Sequence, residues 1–146
     1  MKKKTIVKIV LFIIYIVVLS YLLFLSESMG RTNYHSEVNF VPFAEIRRYI
    51  TRISTIGILY VSINLLGNIV VMIPFGYALP SLFGAGRKLP ILYVFIGMAF
   101  SVLIEFFQFI SHTGSCDVDD VILNTIGVII GYVIYSVLHK RQKEKA

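Results

Sequence analysis

EFFQFISHTGSCDVDDVILNTIGVIIG, residues 105–131, places four of the chain's eight acidic side chains, Glu105, Asp117, Asp119 and Asp120, between two long apolar runs. A carboxylate inside an apolar helix costs about 2.5–3.5 kcal/mol on insertion scales, so such groups line cavities or meet partners. Gln108 follows Glu105 by three residues and His112 follows it by seven, which sets all three on one helical face, while Phe106, Phe107 and Phe109 cover other directions. Beyond the turn at Gly114, Asp120, Asn124, Gly127 and Gly131 recur at spacings of four, three and four. That face of polar and small residues points at other helices and away from lipid.

Working outward, a chain of 146 residues that is 57% hydrophobic and 15% charged, with mean hydropathy +0.81, is an integral membrane protein. Four apolar stretches, residues 6–25, 56–83, 89–110 and 121–138, approach the ~20 residues that a bilayer requires. The expected fold is all-α, a single domain over residues 1–146 built as a bundle of four transmembrane helices. The connections are too short for a separate soluble core. The 14 basic residues outnumber the acidic ones, yet they gather at the ends of the apolar spans, which speaks against nucleic acid and for membrane orientation. The single cysteine, Cys116, excludes an intrachain disulfide.

The basic start with Lys2, Lys3, Lys4 and Lys8 leads into an apolar run longer than a signal-peptide core, with no small-x-small cleavage site after it, so the first span reads as a retained helix. The long connection from Ser26 to Thr55 carries Asn39-Phe-Val-Pro-Phe43 and then Ala44-Glu-Ile-Arg-Arg-Tyr-Ile50, a segment expected to lie in the interface between helices 1 and 2. Arg47, Arg48 and Arg52 either snorkel to lipid phosphates or, with Arg31, bind an anionic group through guanidinium geometry. In the second span Asn64 and Asn68 lie one turn apart, Gly67 beside them permits close packing, and Pro74 and Gly76 are expected to kink or break the helix. Ten Lys and Arg on the side of the termini against four on the other favour cytoplasmic termini in the plasma membrane. With that orientation Asn64, Asn68, Glu105, Gln108 and the segment from Asp117 to Asn124 converge at one level, as a polar pocket open to the outer leaflet. The three aspartates also suit the cap and first turn of a helix.

Five separated motifs, N-x-x-P-F, NLLGN, PFG, E-x-x-Q and G-S-x-D-x-D-D-x-x-x-N-x-x-G, resemble the VanZ-like family of small bacterial membrane proteins and cover nearly the whole chain in order. The resemblance implies a cell-envelope protein of a Gram-positive-type membrane, of the kind named for resistance to teicoplanin, a lipoglycopeptide antibiotic. It marks Asn39, Pro42, Phe43, Asn64, Gly67, Asn68, Pro74, Glu105, Gln108, Asp117, Asp119, Asp120, Asn124 and Gly127. Some members carry an Arg near the position of Ser115, a role that the arginines of the first connection could take over.

Two functions follow as expectations. In the first, Asn39, Asn64, Asn68, Gln108 and Asn124, with Arg31, Arg47 and Arg48, bind a lipid-linked envelope precursor or a lipoglycopeptide among the membrane lipids. In the second, the protein is an enzyme on a phosphate- or sugar-containing lipid, with Glu105, Asp117, Asp119 and Asp120 as catalytic or metal-holding candidates for a divalent cation such as magnesium. D-x-D-D matches no known metal motif. His112 is either acid–base machinery or polar surface, and Cys116 has no nearby base apart from it.

Overall fold

The computed structural model describes residues 3–25, 38–83, 90–111 and 113–144. Helix α1 (Lys3–Ser20) runs on through a π-helical turn at Tyr21–Leu25. Strand β1 (Val38–Asn39) leads into two short helices, α2 (Ala44–Thr51) and α3 (Ile53–Ile56), which form an arm at one end of the bundle. Gly57, at φ 94°, supplies the turn from this arm into α4 (Ile58–Phe83). Helix α5 (Pro90–Ile110) returns, strand β2 (Cys116–Asp117) follows, and α6 (Val118–Glu144) closes the fold. The segments Thr5–Leu23, Ile58–Phe83, Ile91–Ile110 and Val118–His139 are long and apolar enough to cross a membrane, as the sequence predicts.

Helix α6 packs chiefly on α4 and then on α5, whereas α1 is peripheral. Glycine explains the closeness of the α4–α6 seam. A Cβ on Gly76 would stand 2.1 Å from the Val128 carbonyl oxygen, and one on Gly131 would stand 2.1 Å from that of Ile73. Gly127 meets Ile69 in the same way, so the two backbones touch over more than one turn. The apolar core lies beside this seam, where Leu19, Met72, Phe75, Leu79, Tyr93, Ile104 and Val128 are buried and Phe75 stacks on Phe100 at 4.5 Å.

Two expectations about α4 change. Gly67 does not sit at a close approach: a Cβ there would meet no atom within 4 Å, and the tight glycine of this helix is Gly76. Of the kink or break expected at Pro74 and Gly76, the break does not occur, since α4 continues through both Pro74 and Pro80. A proline leaves the carbonyl four residues back without its donor, and the neighbouring Val71 carbonyl accepts from Tyr15 Oη at 2.7 Å, which ties α1 to this region.

Candidate functional site

The polar face of α5 is buried as its spacing requires. Glu105 and Gln108 are 3% and 4% exposed, while Phe106 and Phe107 are more than half exposed. Gln108 Nε2 donates to the Leu23 carbonyl at 3.1 Å, and the Gln108 carbonyl accepts from Thr113 N at 3.0 Å and Gly114 N at 3.3 Å. One residue thereby fastens the end of α1 and folds the loop after α5. Glu105 Oε2 accepts from Asp117 N at 3.2 Å, beneath the start of α6.

Each of the three aspartates has a different task. Asp117 precedes α6 and caps it, Oδ1 accepting from Asp119 N at 2.8 Å, the usual reach from an N-cap side chain to the second helical residue. Asp119 caps a different helix. Its Oδ2 accepts from Glu45 N at 2.8 Å and Ile46 N at 3.0 Å, its Oδ1 accepts from Phe43 N, and it is 1% exposed. These are three of the first amide groups of α2, left without partners in their own helix. Ionised, the carboxylate also complements the positive end of α2. Phe43 holds a left-handed conformation, φ 66°, unusual for a bulky residue, and that turn aims its N–H at Asp119. Asp120 lies on the α4 side, where Asn68 Nδ2 donates to its Oδ1.

The arm docks a second time through its strand. β1 pairs in parallel with β2, Val38 opposite Cys116 and Asn39 opposite Asp117. Asn39 Nδ2 donates to Asp117 Oδ1 at 3.2 Å, while Asn39 Oδ1 accepts from Val41 N at 3.0 Å. The N-x-x-P-F and D-x-D-D motifs, nearly eighty residues apart, are thus two halves of one joint.

Under this joint lies a small polar cleft. Its walls are Glu45 and Tyr49 of the arm, Asn64 and Asn68 of α4, Gln108 of α5, Gly114 and Ser115 of the loop, and Asp117 and Asp120. The cavity volume is ≈ 20 Å³, room for about one water molecule or one small polar group. Three carboxylates face it, and among the described residues none of its walls is basic. Arg48 approaches from outside, pairing with Glu45 Oε1 at 2.7 Å. Glu45 Oε2 is buried with no hydrogen-bond partner among the described residues. Burial raises the Glu45 carboxyl above its ordinary value, with Arg48 opposing and Asp117 and Asp119 reinforcing the rise. Burial likewise raises Asp117, against the bonds from Asp119 N and Asn39.

Most of the residues singled out in the sequence therefore gather at one end of the bundle. Asn64, Asn68, Gln108, Asp117 and Asp120 line the cleft, Asn39 braces Asp117, and Glu105 supports it from below. Asn64 Nδ2 donates to the Tyr60 carbonyl of its own helix. Asn124 lies away from the cleft walls, donating to Ser101 Oγ at 2.8 Å where both are buried. Arg47 is exposed on α2 and is not a wall residue. Arg31, His112 and the turn with Arg87 and Lys88 lie outside the described residues. The acidic candidates do not form a metal-holding group: among the described residues no three His, Cys, Asp or Glu side chains come together closely enough.

Glu45, Tyr49 and Ser101 escaped the sequence reading. Ser101 precedes Glu105 by four and Gln108 by seven, so the α5 face could have been extended back to it. Glu45 carries no local signal of its role, because nothing in the segment shows that α2 lies over the start of α6.

The VanZ/LLP1 family model matches residues 12–139. Protein VanZ of Enterococcus faecium is 33% identical over 82 residues, which are 56% of this chain and 50% of that protein. The chain spans about half the length of that relative. No solved structure matches it.

Proposed function

Because the chain belongs to the VanZ/LLP1 family over residues 12–139, we propose that this membrane protein contributes to teicoplanin-type glycopeptide resistance. It does so by holding a lipid-linked ligand at the outer leaflet, with the arm and cleft outside and both termini in the cytoplasm. The ligand is an envelope precursor or the lipoglycopeptide itself. One observation carries the reading: acceptors from the arm, α4, α5 and the start of α6 converge on one cleft at the level where the helices end.

The chemistry of the walls says which part of a ligand enters. Glu45, Asp117 and Asp120 offer oxygen acceptors, and a phosphate brought among them would meet charge of its own sign. An ammonium, amide or hydroxyl group fits both the charge and the ≈ 20 Å³ volume. Arg48, at the outer edge beside Glu45, is placed to meet an anionic group that stays outside. The apolar part of the ligand remains in lipid against Phe40, Val41 and Phe43, each more than 60% exposed on the arm.

The test is teicoplanin susceptibility of cells making wild-type protein, Glu45→Gln, Glu105→Gln or Asp120→Asn at matched membrane levels. The expected result is resistance in the wild type and its loss in Glu45→Gln and Asp120→Asn. Full resistance in both would sink the cleft reading. Magnesium binding by purified protein, measured in parallel, separates a binding protein from the metal-dependent enzyme, whose carboxylate-dependent magnesium uptake is not expected here.

A further inference from the structure

At the other end of the bundle α1 stands away from α4, and the two enclose a groove of ≈ 330 Å³, floored in part by Ile134 of α6. The gap begins where the contacts of α1 end: Phe12 packs on Phe75 and Tyr15 holds the Val71 carbonyl, but on the terminal side of these, Leu11 faces Pro74, Ala78 and Leu82 across open space. The lining is apolar except at the mouth, where Lys8 Nζ donates to the Ser81 carbonyl at 3.4 Å. Among the described residues no acidic side chain lines the groove and Lys8 has no carboxylate partner.

We propose that this groove is a binding site for an anionic membrane glycerophospholipid, one acyl chain lying along α4 and the phosphate on Lys8. An acyl chain lying in an apolar groove gains dispersion contacts with every wall, which favours its binding there from the bilayer. Charge complementarity selects the headgroup. A lysine beside the polar boundary, in a chain whose start carries Lys2, Lys3 and Lys4 as well, attracts the anionic lipids of the leaflet it faces. The volume lies within the range of small-molecule pockets and far above that of the polar cleft. This site is independent of the outer cleft and shares no wall residue with it.

The chain has no tryptophan, so one introduced tryptophan is a clean reporter. Leu11→Trp places it on the rim, at a position already 60% exposed, and Phe95→Trp places a control on lipid-facing α5, 56% exposed and also near the terminal end. The full chain in phosphatidylcholine nanodiscs is titrated with brominated phosphatidylglycerol or brominated phosphatidylcholine. At the Leu11→Trp reporter, phosphatidylglycerol is expected to quench with a preference of about fivefold, the factor that one lysine near the surface supplies. The Phe95→Trp control shows no preference, and adding Lys8→Gln to Leu11→Trp removes it. Equal quenching by both lipids at the rim overturns the proposal, as does a preference that survives Lys8→Gln. Shielding of the rim reporter from both lipids would mean that another protein surface, a second copy included, covers the groove, and also overturns it.

Discussion

The two ends of the α4–α6 pair are held by opposite means. Toward the termini, Gly76, Gly127 and Gly131 let backbone meet backbone, and nothing there depends on charge. Toward the arm, the same two helices meet through Asn68 and Asp120, and the arm is held down by Asp119 and Asn39. Steric fit leaves no space within the α4–α6 seam itself, and the groove at that end opens instead between α1 and α4. Polar fastening leaves both space and unspent chemistry, because carboxylates placed to hold backbone amides keep further acceptor capacity that can turn toward a ligand. The cleft arises at the end where the helices are joined by side chains.

If that contrast holds, the most damaging change lies in the glycine seam. Gly131→Leu forces side-chain carbons into the Ile73 carbonyl and should cost more than ~3 kcal/mol, since only separation of the helices relieves it. It should be read as loss of membrane accumulation and of thermal stability in detergent. Asp119→Ala comes next. Three amide donors of α2 lose a charged acceptor, and with such bonds each worth roughly 1.5–3 kcal/mol the arm should come off while the bundle persists. Cys116, the sole cysteine, lies in the strand that the arm covers, so its maleimide labelling should accelerate at least severalfold. Unchanged labelling would mean that β1 alone holds the arm.

Gly67→Ala is the sharpening control. Space at that position is open, and removing a helix-interior glycine should leave the protein unharmed or stabilise it by about 1 kcal/mol. The smallest effect is the response to pH. Folding raises the carboxyls of Glu45 and Asp117, so between their unfolded and folded values the folded state holds more protons. The arm end should gain stability as pH falls from neutral through the folded values, with no further gain below the unfolded ones. Over that same window a cationic probe should bind the cleft less well, beginning at higher pH than for ordinary carboxylates. Hydrogen exchange at the glycine seam should not move; a matching change there would erase the distinction between the two ends.

The four spans were legible because hydropathy and length are properties of a segment by itself. So was the α5 face, since Glu105 and Gln108 repeat at helical spacing whatever surrounds them. Two roles depended on pairings between distant segments and could not be read locally. Asp119 sits where a first-turn residue of α6 belongs, yet the helix it caps is α2. Gly67 and Gly76 look alike in the chain, and only the placement of α6 shows which of them is crossed. Glu45 was missed for the same reason, because its burial comes from a neighbour far away in sequence.

The bond from Phe43 to Asp119 spans 76 residues, which at ~5–20 residues per second of synthesis is roughly 4 to 15 s. When the arm leaves the ribosome, its acceptor does not yet exist. The strand β1 and the start of α2 cannot complete their bonds until Cys116, Asp117 and Asp119 have been made. The polar joint therefore cannot form before synthesis reaches the start of α6. A chain arrested before α6 would present an α2 without its Asp119 cap and a strand edge without its partner.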